Sequence, residues 1–588
     1  MSVWEQRIIE SNNRADLLRK QGKTSQALLL FEEAIKLISS YGASPYTEAS
    51  VYTNYGLLLC NLGKYTLAVE YQKKALELDE LTGEPRNLGF SHHNLGLALL
   101  GANKQESGIK HLEKARVIRH SIRDYSELLY TLEILGDAYI GINDLKRASR
   151  CAKQGLKLCK KISYGPEFRG IVALSAKTAL LKGQVAKACA LESEVVKLLE
   201  QMRQRYHDIE NLDLYDRRYN KRYLEAIELF LEAKKYDKAL VLIDRTRFRS
   251  GCDALDGVQS FDALPNKDTM KIPHVEKGEL ILMAWTYPKY TWVFPIRHGV
   301  EKIAPDKIVT STREGPIKIL DVYTEWEEHF NTLLRQWQCI IDFYKTDIDS
   351  INRLILIPHG TGWQIPSACL QYPRMEEFLL NKKKLFISPS LRFCDITDRR
   401  QRFNSKKYLV IGDPTGDLEN AKEEAELIAR KLGCKPVLGS DAKKDFFLET
   451  ISLEEFDIIH YAGHGTYTDY GLHALNFADG LVTVNEVISA KPKANIVNLI
   501  SCWSGMTGFS VWNELHGFVR ALLLSGVRNV ISSVYPTHDK ASKMFSLSFY
   551  DDYLKSKNTL KAFQSGINSI CYDFDKIGWG GLYLTGQR

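Results

Sequence analysis

Phe456-Asp-Ile-Ile-His-Tyr-Ala-Gly-His-Gly465 reads as a buried strand that stops in a glycine turn, and Ala494-Asn-Ile-Val-Asn-Leu-Ile-Ser-Cys502 repeats that design. Each carries a chemically able side chain, His464 or Cys502, just past its carboxyl end, the edge where open α/β sheets gather ligands and chemistry. The two residues stand 38 apart, which suits neighbouring parallel strands joined by a crossover of at least about a dozen residues. Further strand-like runs lie upstream at Glu279 to Trp285, Tyr290 to Ile296, Arg353 to Pro358 and Tyr408 to Pro414. Helical stretches fall between and after them, at Leu418 to Leu432, stopped by Gly433, and at Val511 to Leu524. From about Lys277 onward this alternation predicts an α/β sandwich.

The first third of the chain has a different period. Ala27, Ala68, Gly108, Ala148 and Ala188 form a column with steps of 41, 40, 40 and 40 residues. Ala34, Ala75, Ala115, Gly155 and Val195 keep the same register, as do Ala15, Gly56, Gly96, Gly136 and Ala176 in the preceding helix. Small residues at fixed spacing are what closely crossing helices demand. Between the helices stand Gly22, Gly63, Asn103, Asn143 and Gly183, types that accept the left-handed conformation ending a helix. Each unit is therefore helix, turn, helix, and five units span residues 4 to about 202. A sixth pair, Tyr223 to Phe230 and Asp237 to Arg249, is out of register, since Ala239 follows Ala188 by 51 residues. It is expected to cap the array and lead into the next domain. The predicted domains are 1–202 (array), 203–274 (helical cap and linker), 275–405 (first part of the sandwich) and 406–588 (second part).

Composition narrows the function classes. The 588 residues exceed what one core organises, and 44% hydrophobic with 26% charged residues is ordinary for a soluble globular chain. No apolar run is long enough to span a bilayer, and Met-Ser-Val-Trp-Glu-Gln-Arg at the start lacks a signal pattern, so a cytoplasmic location is expected. The eleven cysteines form no CxxC pair or regular framework, which speaks against structural zinc and disulfides. A net charge of +7, with Lys and Arg interspersed among Asp and Glu, gives no indication of direct nucleic-acid binding.

A thiol protease needs a thiolate-capable cysteine, a histidine to protonate the leaving amine, and backbone donors for the developing oxyanion. Cys502 sits where a strand opens into a Gly-containing turn, so its sulfur is expected at the sheet edge with its own N–H facing the oxyanion. His464 precedes Gly465, whose unobstructed N–H is the second candidate donor. His460 lies inside the strand, where alternation makes it a packing histidine. His359-Gly360 mimics the His-Gly pair, but no cysteine follows on the next strand, so it reads as a structural turn.

The order Asn54-Tyr55-Gly56, Gly63-Lys64-Tyr65, Ala68 and Ala75 resembles the tetratricopeptide repeat (TPR), in an extended variety. Ile459-His-Tyr-Ala-Gly-His-Gly465, Leu475-Asn-Phe-Ala-Asp-Gly480 and Asn498-Leu-Ile-Ser-Cys-Trp-Ser-Gly505 resemble the CHAT domain, a branch of the caspase and separase superfamily found attached to such repeats. Leu356 to Gly360, Ser388 to Arg392, Gly526 to Val530 and Gly578 to Gly586 are similar to CHAT sequences too, so the resemblance covers about 275 to 588. It implies an all-α TPR superhelix followed by a caspase-like α/β sandwich. It also implies a cysteine endopeptidase with His464 as general acid and base and Cys502 as nucleophile, requiring no metal or organic cofactor. Its expected partners are a protein substrate and an activating or inhibitory protein held by the array, an RNA-guided complex among them, since bacterial relatives sit in defence and cell-death systems.

Relatives specific for Arg or Lys carry an acid two positions before the nucleophile, where Ile500 stands here, and the cleavage residue is left open. Asp469 and Asp479, in the loop after His464, are the candidate acids for a substrate pocket. Two rival functions remain: an inactive caspase-like scaffold for protein assembly, and a nuclease effector. The latter is disfavoured because no acidic and histidine cluster with metal-ligand spacing lies near the strand ends.

Overall fold

The computed structural model describes residues 2–20, 24–161, 167–203, 209–247, 252, 275–287, 290–300, 303–308, 326–398, 402–467, 473–502, 504 and 517–586. The chain divides into two compact units, 1–205 and 206–588.

Among the described residues the first unit is ten helices in five antiparallel pairs: α1 (Val3–Lys20), α2 (Thr24–Tyr41), α3 (Pro45–Asn61), α4 (Tyr65–Thr82), α5 (Pro85–Gly101), α6 (Gln105–Ser121), α7 (Tyr125–Gly141), α8 (Leu145–Cys159), α9 (Glu167–Leu181) and α10 (Val185–Arg203). The alanines of the three columns are all buried, because each lies where two helices cross. At the α5/α6 crossing the backbones themselves touch: a Cβ on Gly96 would lie 3.1 Å from the Gly108 carbonyl oxygen and 2.6 Å from Leu112 Cγ. Larger apolar residues fill the spaces between pairs. Leu112, Leu128, Leu132, Leu135 and Ile171 form one cluster without solvent contact, where a truncation to Ala costs about 2–5 kcal/mol. The turns are built as their residues require: Gly63, Asn103, Asn143 and Gly183 have positive φ. The N–H groups of Lys64, Lys104, Asp144 and Gln184 return to carbonyls five residues earlier at 2.8–2.9 Å, closing each helix. Gly22 lies outside the described residues.

The sixth pair, α11 (Ile209–Glu232) and α12 (Tyr236–Arg245), belongs to the second unit. Its turn has the same closure, Lys235 N–H to Phe230 O at 2.7 Å, but places a lysine, Lys234, at φ 55°. Arg249 is not among the described residues. From α12 and the residues just after it, two buried side chains reach the sheet. Asp244 accepts from the N–H groups of Leu391 (2.6 Å) and Arg392 (3.3 Å), capping the helix Leu391–Asp398. Arg247 donates to the carbonyls of Ile357 (3.0 Å), Pro358 (2.9 Å) and Ala284. Burial pushes the Asp244 carboxyl up to about 6, although the bonds from Leu391 and Arg392 and the nearby Arg247 pull it the other way.

The strands are β1 (Glu279–Tyr287), β2 (Tyr290–Arg297), β3 (Asp306–Ile308), β4 (Arg353–Ile357), β5 (Lys384–Ile387), β6 (Tyr408–Gly412), β7 (Val437–Leu438), β8 (Glu455–Ala462), β9 (Gly465–Tyr467), β10 (His473–Phe477), β11 (Gly480–Thr483), β12 (Lys493–Leu499), β13 (Asn529–Ser533) and β14 (Leu582–Gly586). Among the described residues they form an eleven-stranded sheet ordered β3-β2-β1-β4-β5-β14-β13-β12-β8-β6-β7, and a small sheet ordered β11-β10-β9. β8 and β12 are buried on both faces, which explains their continuous apolar runs. On one face of β8, His460 meets Glu424 and Tyr550 from the helices Glu419–Leu432 and Asp539–Ser556. On the other, Tyr461 packs on Phe477 of β10 at 5.5 Å between ring centroids. The predicted helix Val511 to Leu524 is observed as Phe518–Ser525, with 505–516 outside the described residues.

Candidate active site

β8 and β12 pair in parallel, with Tyr461 opposite Leu499. His464 and Cys502 each come three residues after that pair, so the two chains leave the sheet side by side at one edge. The thiol of Cys502 is half-buried, its Sγ 4.0 Å from the Thr537 carbonyl oxygen. The turn beneath it is fixed by Ser504, whose hydroxyl donates to Leu499 O at 2.6 Å and accepts from Ser533 N–H at 3.1 Å, tying the ends of β12 and β13 together.

His464 is clamped through its backbone. Its carbonyl oxygen accepts from Asn476 N–H at 3.0 Å and lies 2.9 Å from the Tyr461 hydroxyl. That pattern makes Gly465 and Leu475 a pair without mutual hydrogen bonds, so the Gly465 N–H points away from β10, on the outer side of the edge strand β9. A Cβ on Gly465 would collide with the Cys502 carbonyl oxygen. The glycine is thus required by the approach of the two strand ends.

A third residue joins the pair. The His464 Nε2 lies 3.1 and 3.2 Å from the two carboxylate oxygens of Asp417, with the side chains 40% and 62% exposed. Asp417 sits in the loop after β6, the neighbour of β8 on its far side from β12. Asp413, at φ 45°, fastens that loop: its N–H donates to Ala462 O at 2.8 Å, and its carboxylate accepts from the N–H groups of Asp417 and Leu418 at 3.0 and 2.9 Å. The Thr415 hydroxyl and then His464 hold the Asp417 carboxyl below the usual aspartate range. No sequence pattern pointed to Asp417, because its proximity to His464 depends on which strand stands next to β8.

His460 is fully buried. Its Nδ1 lies 3.1 Å from the Tyr550 hydroxyl, and its Nε2 is 3.2 Å from the buried Glu424 carboxylate in a contact too bent for a good hydrogen bond. It is a packing residue. His359, in the other half of the sheet, packs at a tilt against Trp285 with ring centroids 4.1 Å apart and accepts from Thr286 N–H at 3.2 Å, and burial holds its imidazole well below the ordinary histidine value. Asp479 accepts from Lys444 N–H at 2.7 Å, at the start of the helix Lys444–Leu453, and Asp469 lies outside the described residues. Ser501 is buried with its hydroxyl lacking a partner among the described residues, 3.1 Å from where a Gly465 Cβ would stand. Among the described residues no group of three His, Cys, Asp or Glu side chains is placed to hold a metal ion, and no helix is long and apolar enough to cross a membrane.

The family profile of the CHAT domain matches residues 331–586, and that of the tetratricopeptide repeat matches 47–119. The chain is a TPR array followed by a CHAT domain. Tetratricopeptide repeat protein 28 of Homo sapiens is 24% identical over 298 residues, covering 40% of this chain, and this chain spans only 12% of that relative's length. BtubC (BKLC) from P. vanneervenii aligns with 35% of this chain and 95% of its own at 17% identity and a TM-score of 0.30. The separase of the Saccharomyces cerevisiae separase-securin complex aligns with 100% of this chain and 53% of its own at 12% identity and a TM-score of 0.47. The CHAT domain is of the caspase-like peptidase family, and TPR arrays mediate protein–protein interaction. In the array a groove of about 530 Å³ runs across α3, α5 and α7, lined by Leu57, Leu97, Leu100, Ile134 and Asp137, with Tyr65 at its side. Stacked helix pairs offer such surfaces to partners.

Proposed function

We propose that the protein is a cysteine endopeptidase whose CHAT domain cleaves a specific protein substrate and whose TPR array binds the protein that regulates or delivers it. The observation that supports this most strongly is the common exit of His464 and Cys502, each three residues past a register pair of adjacent parallel strands. With Nε2 engaged by Asp417, Nδ1 of His464 is the nitrogen left to exchange a proton with the thiol. The Cys502 thiol gives its proton to His464, and the sulfur attacks the peptide carbonyl carbon. The N–H groups of Gly465 and Cys502 receive the negative oxygen that forms. Collapse of this adduct breaks the C–N bond, and His464 returns the proton to the departing amine. Water, deprotonated by His464, then attacks the thioester, releasing the acid and restoring the thiol. Asp417 orients the imidazole and balances its positive charge.

The test compares the full-length protein with Cys502→Ala and His464→Ala on candidate protein substrates, with and without candidate partners of the array. The wild type is expected to cut at a defined site, and both variants to fall by roughly 10³-fold or more while keeping their circular dichroism and melting curves. Undiminished cleavage by Cys502→Ala overturns the mechanism. Partner binding without cleavage by any form leaves the caspase-like fold as a scaffold.

A further inference from the structure

A cavity of about 260 Å³ opens at the amino-terminal edge of the large sheet, opposite the edge that carries His464 and Cys502. Five cations line it: Arg353 and Lys384 at the starts of β4 and β5, Arg402 ahead of β6, Arg528 just before β13, and Lys557 in the turn before the helix Thr559–Asn568. No carboxylate is among its described lining residues. Asn495 of β12 forms part of the wall, and Cys502 follows it by seven residues, roughly 23 Å of extended chain. The cavity is therefore separate from the candidate active site.

Its charges are only partly balanced. Arg353 reaches Glu276 and Glu279 at 3.4 and 3.3 Å, and Arg402 reaches Asp457 at 2.8 Å. Lys384 and Lys557 have no carboxylate partner among the described residues, and Lys557 is held over the Tyr553 ring at 5.2 Å. Like charges gathered around one cavity repel, and an anion relieves that cost. Asn529 adds a neutral group. It is 8% exposed, and its side-chain oxygen is shielded from solvent without a hydrogen-bond partner among the described residues. The amino end of the helix Thr559–Asn568 contributes a further positive pole.

The cavity also straddles the weakest junction of the sheet. β14 pairs with β13 over five residues and β4 with β5 over four, but β14 meets β5 at one register pair, Thr585 and Ile387. Arg353 and Lys384 stand on one side of this seam, and Arg402, Arg528 and Lys557 on the other. A single carboxylate meets one or two of these cations, whereas linked phosphoryl groups reach both sides. We propose that the cavity binds a small soluble polyphosphate, which bridges Lys384 to Arg528 and Lys557 and so staples the two halves of the sheet.

The experiment titrates the full-length protein with inorganic tripolyphosphate by calorimetry at low ionic strength. One saturable site is expected, at least about tenfold tighter than for orthophosphate because more than one charge-assisted contact is made. Bound tripolyphosphate should slow amide hydrogen exchange in β5 and β14. Lys384→Glu and Lys557→Asn, at exposed positions, should each weaken binding about tenfold, and the array variant Lys36→Glu should leave it unchanged. Asparagine suits the left-handed backbone of Lys557 at φ 51°, and Lys384→Gln replaces Lys384→Glu if the latter melts early. Vesicles containing a bisphosphorylated inositol lipid should not compete, since a flat bilayer surface does not enter the cavity to meet the half-buried Arg353 and Arg528 together with the lysines. No saturable binding, equal affinity for orthophosphate, indifference to both cavity variants, or competition by the vesicles overturns the proposal.

Discussion

At Gly465 there is room for a hydrogen and nothing larger, since a methyl group would meet the carbonyl oxygen of Cys502. Gly465→Ala must push Cys502 away from His464, and a displacement near 1 Å at a reacting centre costs roughly 10²-fold. The expected outcome is that loss in kcat/KM with secondary structure intact, checked by steady-state cleavage beside circular dichroism. A variant as active as wild type would show that the strand ends do not work as a pair. Asp417 asks a gentler question. Its bond with His464 is exposed to water, so Asp417→Asn should leave the melting temperature within about 2 °C. If the carboxylate orients the imidazole, kcat should fall about tenfold with KM unchanged. Loss through KM instead would place Asp417 on the substrate. His464, Gly465 and Cys502 were legible because each is written into the strand that carries it. Asp417 was not, because it arrives from β6, and sequence gives strands without their order.

Helices α5 and α6 bury imidazoles that the repeat register says nothing about, since columns of small residues report backbone approach and not the polar groups beside it. His92 Nδ1 lies 3.1 Å from His111 Nδ1, and His93 is packed by Thr131 near Arg119. Burial, with His111 and Lys114 behind it, pushes His92 down to about 4. Burial and Arg119 push His93 down to about 3, and burial with Lys114 and Lys110 lowers His111. A histidine depressed in the fold stays neutral while the unfolded chain takes up its proton, so its stabilisation is complete above the unfolded value of 6.5 and declines below it. The decline continues to about 4 for His92 and about 3 for His93. Between pH 7 and pH 5 the melting temperature of the array should fall by roughly 4–8 °C, and His92→Gln should remove part of that slope. A transition independent of pH in this window would mean that these imidazoles take up protons in the fold as readily as in the unfolded chain. The turns show the same limit of pattern reading. Gly and Asn marked four of them, while Arg123 and Lys234 adopt positive φ with no such signal, because the helix closure around them supplies the constraint.

Across the whole molecule, the change from a 40-residue period to strand and helix alternation was plain, because each half buries its apolar face in its own way. Two long-range connections were not. The last strand, β14, returns to the middle of the sheet between β5 and β13, and the residues after the array reach the helix Leu391–Asp398 through Asp244 and the sheet through Arg247. Both side chains are buried, and each satisfies backbone groups that would otherwise be orphaned: the first N–H groups of Leu391–Asp398, and the carbonyls of Ala284 within β1 and of Ile357 and Pro358 at the end of β4. Removing one partner leaves an uncompensated charge in a dry place, which costs about 3–5 kcal/mol. Asp244→Leu and Arg247→Met should therefore each lower the calorimetric transition of residues 206–588 and leave that of residues 1–205 in place. In the double variant no charge is stranded, so its loss should be smaller than the sum of the single losses, with a coupling of about 1–3 kcal/mol. Strict additivity would show that the two residues act separately, Asp244 as a helix cap and Arg247 as a donor to strand ends. Coupling would make the segment from α12 to Arg247 a built part of the CHAT fold and not a tether to it, so a partner that moves this segment would move β1 at Ala284 and the carboxyl end of β4 with it.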